Sequence, residues 1–193
     1  MEKLIFNEDS LAEGTYRDFF DIETAINWWL VEEASLNEEA TRTKNVYLYK
    51  DRNDKIKIGP PWDFDAYTFG LYGTSHFYCT KRTLYFEKLF KDTVFVERLK
   101  EKWATIRSVW LDKIPQFIDE QYDLIHRSAE RNEIMWPDYC EESHATEKTF
   151  HQSIEEMKDA SVTQIEWMDK KISENYFVDW WDEKNMGTAI PAP

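Results

Sequence analysis

Apolar residues recur every three or four positions in four separate stretches of the chain, which places them on one face of an α-helix. The first stretch begins after Asp21, whose side chain suits a helix N-cap, and continues to Leu30. The last stretch covers residues 150–172, with Ser143 or Thr146 as its predicted N-cap. Charged residues fill the remaining positions, so we expect amphipathic helices whose apolar faces form the core.

The two middle stretches are separated by a proline. Asp92 and Thr93 can cap a helix whose apolar face covers residues 95–110. Pro115 has no backbone N–H and is best accommodated in the first turn of a helix. We therefore expect Pro115 to begin a new helix, which ends near Trp136.

Residues 46–50 and 55–58 have a different pattern, with alternating character and many residues that favour β-strands. The polar residues 52–54 link the two segments, and the Gly-Pro-Pro sequence of residues 59–61 ends the second one. This pattern predicts one small β-hairpin. Together with the helices it predicts an α+β fold that is mainly α.

The remaining segments carry little periodic signal. We interpret residues 1–20 as an N-terminal arm or the remnant of a preceding lobe, residues 21–180 as one domain, and residues 181–193 as a flexible tail. Residues 66–80 contain five aromatic side chains and two glycines, which favours an ordered loop packed over a surface.

The composition indicates a folded, acidic protein. Hydrophobic residues make up 42% of the chain and aromatic residues 16%, whereas disordered chains are poor in both. The net charge of -14 repels phosphate backbones, so we predict no nucleic-acid partner. We also predict no membrane insertion, because the chain has no signal-peptide pattern and no run of about 20 apolar residues.

The cysteines and histidines give no metal signature. Cys79 and Cys140 are far apart in the sequence and match no zinc or redox motif. The sequence pattern neither supports nor excludes a disulfide between them. The four histidines show no HxxxH or similar spacing, which excludes the usual transition-metal motifs.

Acidic residues flank the predicted hairpin on both sides. Glu38 and Glu39 precede it, and Asp63 and Asp65 follow it. Because a hairpin returns the chain to its starting point, these carboxylates can converge. Mg²⁺ commonly takes one or two carboxylates together with the phosphates of a substrate. Asp63 and Asp65 are therefore candidate metal ligands, although an Asp-Phe-Asp sequence alone also fits a capped turn.

The run YLYKDRNDKIKIGPPWDFDAYTFG, residues 47–70, resembles the signature of the spore coat protein H (CotH) kinase family. That signature has a Tyr-x-Tyr-Lys-Asp strand, a short turn and then Gly-Pro-x-Trp-Asp-Phe-Asp. Upstream, Glu33 and Asn37 match a Glu followed four residues later by Asn in many members. The resemblance covers most of the chain and implies a helical domain like a kinase C-terminal lobe, with the N-terminal lobe largely absent.

The resemblance also implies roles for individual residues. Asp63 takes the position of the metal-binding Asp of the kinase Asp-Phe-Gly motif, and Asp65 is a second ligand or its support. Glu39 falls on the position of the catalytic acid, where Asp is commoner. Asn45 fits the kinase catalytic-loop Asn, although capping of the following strand explains this residue equally well. The cofactor-binding residues implied are Asn37, Asn45 and Lys50.

The implied function is an atypical protein kinase that uses ATP and Mg²⁺ or Mn²⁺ to phosphorylate Ser or Thr of a protein substrate. For these 193 residues alone we predict no turnover, because a magnesium site completed by ATP phosphates is incomplete without them. The alternative is a non-catalytic surface or scaffold module that binds a protein or glycan partner. Family members are often exported, to a spore coat or cell surface, but the sequence decides neither compartment nor oligomeric state.

Overall fold

The computed structural model describes residues 1–42, 45–65, 68–69, 73–79, 83–136 and 148–179. This part of the chain is mainly helical and contains a two-stranded antiparallel sheet, which confirms the predicted fold class. The α-helices are α1 (Glu2–Ile5), α2 (Glu8–Glu13), α3 (Ile22–Ala34), α4 (Phe86–Leu89), α5 (Thr93–Met135) and α6 (Phe150–Ser173). Short 3-10 helices cover Thr15–Asp18 and Glu39–Arg42, and the strands are β1 (Leu48–Tyr49) and β2 (Lys57–Ile58).

Helix α3 lies at the centre of the core. Asp21 is its N-cap, as predicted, and accepts hydrogen bonds from the backbone N–H groups of the first turn. Buried residues lie on all sides of this helix, as expected for a helix surrounded by protein. Trp28 stacks on Phe86 with ring centroids 5.6 Å apart, and Trp29 contacts Phe77 at 5.1 Å. Aromatic packing around α3 therefore accounts for much of the core.

The first twenty residues pack onto this core. Ile5, Tyr16 and Phe20 are almost completely buried. The Tyr16 hydroxyl donates a 2.5 Å hydrogen bond to Asp92, which is the N-cap of α5. The segment therefore contributes side chains to the same core as α3.

The hairpin is shorter than predicted but lies where the pattern placed it. Leu48 pairs with Ile58 and Tyr49 with Lys57. Ile58 is buried, and its backbone N–H donates to the hydroxyl of Thr24 on α3 at 3.3 Å. This contact fixes the end of β2, and hence the loop that follows it, beside α3.

The prediction that Pro115 begins a new helix is wrong. Helix α5 continues through Pro115 from Thr93 to Met135. Helix α6 packs antiparallel along it on both sides of the proline, as shown by hydrogen bonds from Trp103 to Asp169 and from Lys158 to Asp119. These contacts offset the roughly 3 kcal/mol cost of proline inside a helix.

The cap of α6 also differs from the prediction. Thr149 is the N-cap and forms a capping box with Gln152, and the helix begins at Phe150. Ser143 and Thr146, the predicted caps, lie outside the described residues, as does the predicted tail of residues 181–193.

Beyond Ile114, α5 and α6 extend away from the α3 core as a two-helix arm, which we define as residues 115–135 and 150–160. Ile118 is the buried residue of α5 in this arm. Among the described helices, none combines the length and apolar character that crossing a bilayer requires.

Candidate functional site

The candidate residues lie between the end of α3 and the loop after β2, and buried Asn37 connects these segments. Leu36 has a φ of 55°, which turns the chain sharply after α3. The Nδ2 of Asn37 donates to Oε2 of Glu32 at 2.9 Å and to the backbone carbonyl of Asp63 at 3.4 Å. Its Oδ1 accepts from the backbone N–H of Glu39 at 3.1 Å. These hydrogen bonds of Asn37 therefore fix the position of the Glu39 backbone relative to that of Asp63.

Asn45 joins two of the candidate carboxylates. Its Nδ2 donates to Oδ2 of Asp63 at 2.6 Å and to Oε2 of Glu39 at 3.2 Å. Asn45 and Asp63 have φ values of 57° and 69°, in the left-handed region that Asn and Asp tolerate better than most residues. The hairpin therefore returns the chain so that Glu39 and Asp63 reach one amide group.

Asp65 completes a group of three neighbouring carboxylates. The pKa of Asp63 is raised because the Asp65 side chain hydrogen-bonds to it, because it is partly desolvated, and because Asp65 and Glu39 are negatively charged. A cation bound here would relieve this repulsion. Oxygen donors of this kind suit a hard cation such as Mg²⁺. Within the described ranges, however, no group of three or more His, Cys, Asp or Glu side chains is arranged so that it could hold a metal ion.

Lys50 is not brought to the carboxylates. It lies just after β1, and its Nζ donates to the backbone carbonyl of Asp51 at 3.3 Å. It lines a separate cleft of about 640 Å³ together with Lys3, Tyr49 and Tyr85. The structure thus groups Asn37, Glu39, Asn45, Asp63 and Asp65 and places Lys50 apart from them, while the functional role of each of these residues stays a prediction.

Two adjacent glutamates near the end of α3 are buried behind the site; the family resemblance points to Glu33, whereas no sequence pattern points to Glu32. Glu32 accepts from Asn37, and burial raises the pKa of its carboxyl to about 8 although that hydrogen bond opposes the shift. Glu33 is completely buried and accepts backbone N–H groups of Tyr78 at 2.7 Å and Cys79 at 2.6 Å. Burial raises its pKa well above the usual value. Adjacent glutamates near the end of a helix that is otherwise mainly apolar are the signal that could have identified Glu32.

Gln164 ties α6 to the same region. Its Nε2 donates to the backbone carbonyls of Glu33 at 3.1 Å and His76 at 2.8 Å, and its Oε1 accepts from the N–H of Ser75 at 2.8 Å. All three partners are backbone groups distant in the sequence, so no local pattern points to this residue. Gln164 therefore anchors the aromatic loop, which we define as its described residues 73–79, to α3.

The aromatic loop is packed rather than open. Phe77, Tyr78 and Cys79 are buried, and the Phe77 ring contacts Trp167 of α6 at 4.7 Å. The thiol of Cys79 is free, and burial raises its pKa well above the usual value. Cys140 lies outside the described residues.

Comparison with known proteins identifies the family. The family model described as CotH kinase protein matches residues 2–168, a range that includes all the candidate site residues. No curated protein and no solved structure matches the chain. The long match agrees with the resemblance of residues 47–70. The chain belongs to the CotH kinase protein family.

Proposed function

We propose that this chain carries the metal-binding and catalytic groups of an ATP-dependent protein kinase that phosphorylates Ser or Thr of a protein substrate. The observation that carries the proposal is the convergence of Asp63 and Glu39 on the amide of Asn45, at 2.6 and 3.2 Å. Phosphoryl transfer depends mainly on positioning and charge neutralisation, which such a group of carboxylates can organise. Membership of the family supports the relationship to kinases.

Asp63 and Asp65 are the residues that would hold Mg²⁺ or Mn²⁺. Their proximity raises the pKa of Asp63, which is the electrostatic condition that a bound cation relieves. When bound, the cation neutralises negative charge on the phosphates of ATP. Because the phosphates supply the remaining ligands, we expect the 193 residues alone to bind metal weakly and to transfer no phosphate.

Glu39 is the proposed catalytic acid position, where a carboxylate accepts the proton of the substrate hydroxyl. Two contacts restrict it: the backbone N–H is held by Asn37, and the carboxylate is held by Asn45. Asn45 uses the same amide nitrogen for Asp63, so it fixes the distance between the metal ligand and the proton acceptor. Fixed geometry matters here because a displacement of about 1 Å can lower a rate about a hundredfold.

The proposal is tested with the full-length natural protein that contains this chain. We expect it to transfer labelled phosphate from ATP to a Ser-containing protein in the presence of Mg²⁺ or Mn²⁺. Asp63→Asn should lower this transfer by about a hundredfold or more, because the variant loses a charged metal ligand. Asp54→Asn is the matched control, since Asp54 is an exposed carboxylate of the same hairpin that pairs with Lys57.

Calorimetric titration with Mn²⁺ and ATP gives a second readout, in which Asp63→Asn should weaken binding of the metal and nucleotide together. Equal phosphate transfer by Asp63→Asn and the wild-type protein would exclude the proposed role of Asp63. A correctly folded wild-type protein that transfers no phosphate would instead support the non-catalytic surface or scaffold module.

A further inference from the structure

The two edges of the hairpin differ in how their backbone groups are used. At the edge of β2, the backbone N–H of Ile56 donates to the carbonyl of Phe19 at 2.7 Å, and the carbonyl of Ile56 accepts from the N–H of Asp21 at 2.8 Å. The N–H of Ile58 donates to the hydroxyl of Thr24 at 3.3 Å. The segment that leads into α3 and the first turn of that helix therefore cover this edge.

The edge of β1 is open in the described part of the chain. Because Ile58 directs its N–H towards α3, its pair with Leu48 is a non-hydrogen-bonded pair of the antiparallel ladder. The backbone N–H and C=O of Leu48 therefore point away from β2, and neither forms a hydrogen bond with a residue that the structure describes. Such an edge is a template for pairing with another strand.

The side chains along this edge are uncharged. Natural proteins commonly protect an exposed edge strand with charged residues or proline. Tyr47, Leu48 and Tyr49 carry no charge, and 50%, 40% and 46% of their surfaces are exposed. Lys50 is the first charged residue after them. Uncharged, exposed side chains beside open backbone groups are typical of a surface that binds a further strand.

A cleft of about 640 Å³ lies beside the same edge and is lined by Leu48, Tyr49 and Lys50 of the hairpin. Ile56 and Tyr85 contribute further apolar surface to it. Side chains of a strand alternate between the two faces of a sheet, and directly paired residues share a face. Every second side chain of a strand added to β1 would therefore lie on the same face as Leu48, over this cleft.

The charges of the molecule favour some partners over others. Both signs occur around the edge, since Lys3 and Lys50 line the cleft together with Glu2, and Asp51 follows Lys50, so local charge selects neither sign. The net charge of -14 opposes the approach of a second copy, an acidic segment or an anionic membrane, but not that of a neutral or basic segment. A membrane also has no row of backbone amides with which to pair.

We propose that β1 binds an extended segment of a partner protein by antiparallel strand addition. The segment carries apolar residues at alternate positions and no net negative charge. Its residue opposite Leu48 would exchange two backbone hydrogen bonds with Leu48 and direct its own side chain to the cleft face. This binding involves no phosphate transfer, so the proposal is independent of the proposed kinase activity.

The test uses the 193-residue chain and a fluorescent peptide of about eight residues, in which Val alternates with Thr and a Lys stands at each end. In two matched peptides, either the Val or the Thr residues are N-methylated, which removes the backbone donors of one edge and keeps every side chain. With Val on the cleft face, the Val N–H groups face β1. By fluorescence anisotropy, Val methylation should weaken binding at least about tenfold, whereas Thr methylation should change it less than about threefold.

Hydrogen exchange locates the bound peptide. The backbone N–H of Leu48 should exchange more slowly in the complex, because it then donates to the peptide, whereas exchange in the arm should stay unchanged.

The key variant is Leu48→Pro, which removes the outward donor at a position where an edge strand tolerates proline. It should weaken peptide binding at least about tenfold. Leu48→Val is the matched control, because it keeps both the donor and an apolar, strand-favouring side chain. Circular dichroism checks that both variants are folded. If Leu48→Pro does not fold, the methylated peptides test the same hydrogen bonds with the wild-type chain.

The inference is overturned if the unmodified peptide does not bind, if the two methylated peptides bind equally, or if exchange at Leu48 is unchanged. It is also overturned if the full-length natural protein that contains this chain does not bind the peptide, since another part of the protein would then cover the edge. Analytical ultracentrifugation tests the remaining occupant, because a dimer that Leu48→Pro dissociates would assign the edge to a second copy.

Discussion

Burial makes Glu32 an unusual residue at the edge of the candidate site. It is 1% exposed, and its carboxyl has a pKa of about 8 in the folded protein, whereas the unfolded value is near 4.5. The folded state therefore binds more protons than the unfolded state between these two values. It follows that the contribution of Glu32 to stability is most favourable below pH 4.5 and is lost as the pH rises towards 8.

Glu32→Gln changes the free energy of unfolding. We predict that this change is more favourable at pH 8.5 than at pH 5 by about 2 kcal/mol or more. The Gln side chain can still accept the hydrogen bond from Asn37 but carries no buried charge. Urea unfolding of the 193-residue chain at the two pH values measures the difference. The variant still contains Glu33, whose pKa is also raised, so part of the pH dependence of stability remains.

Glu13→Gln is the matched control for this measurement, because Glu13 is exposed at the end of α2. It should change the stability little at either pH. An identical pH dependence of unfolding for Glu32→Gln and the wild type would show that Glu32 ionises normally in the folded protein.

Structural elements that depend on residues close together in the sequence lie where the sequence predicts them. The N-caps at Asp21 and Asp92 and the position of the hairpin are set by residues within a few positions of each other, so their pattern is visible in the chain. Pro115 breaks this correspondence. Its local preference for a helix start is overridden by packing against α6, whose residues come more than thirty positions later.

We predict that Pro115→Ala raises the free energy of unfolding by about 1 to 3 kcal/mol, because it restores a backbone donor inside α5 and removes the clash with the preceding turn. Thermal unfolding followed by circular dichroism measures the change. Substitution of the exposed Asn27 of α3 by Ala is a control for the general gain in helix propensity, which is well below 1 kcal/mol. A loss of stability in Pro115→Ala would indicate that the proline fits the helix without cost.

At the scale of the whole molecule, the candidate site depends on contacts between distant parts of the chain. Proximity of the carboxylates around Asn45 could be expected from the hairpin and the family resemblance. The resemblance points to Asn37 and Glu33 but not to Gln164. The contacts of all three could not be predicted, because they are made to backbone groups that no sequence spacing specifies. Gln164 bonds to groups 88 to 131 residues away, and only the folded packing brings them together.

We predict that Gln164→Leu lowers the free energy of unfolding by about 2 to 4 kcal/mol. The variant keeps a similar volume but leaves the carbonyls of Glu33 and His76 and the N–H of Ser75 without this side-chain partner. Hydrogen exchange of the aromatic loop, measured by mass spectrometry, should become faster as well. Gln116→Leu, on the exposed surface of α5, should leave both quantities nearly unchanged.

A uniform increase in exchange across the whole chain in Gln164→Leu would show that this residue supports global stability without anchoring the loop in particular. Exchange confined to residues 73–79 and the end of α3 is the result that the hydrogen bonds lead us to expect.

The two carboxylates that meet at Asn45 belong to chain segments with different surroundings. Glu39 follows the buried end of α3, whereas Asp63 follows a hairpin whose strand β1 is exposed to solvent. Asp63 is nevertheless held independently of β1, because Ile58 is bonded to Thr24 of α3 and the carbonyl of Asp63 to Asn37. A molecule that contacts Leu48 or Tyr49 would therefore leave the spacing between Asp63 and Glu39 unchanged, and the exposed strand can be occupied without disturbing the carboxylates.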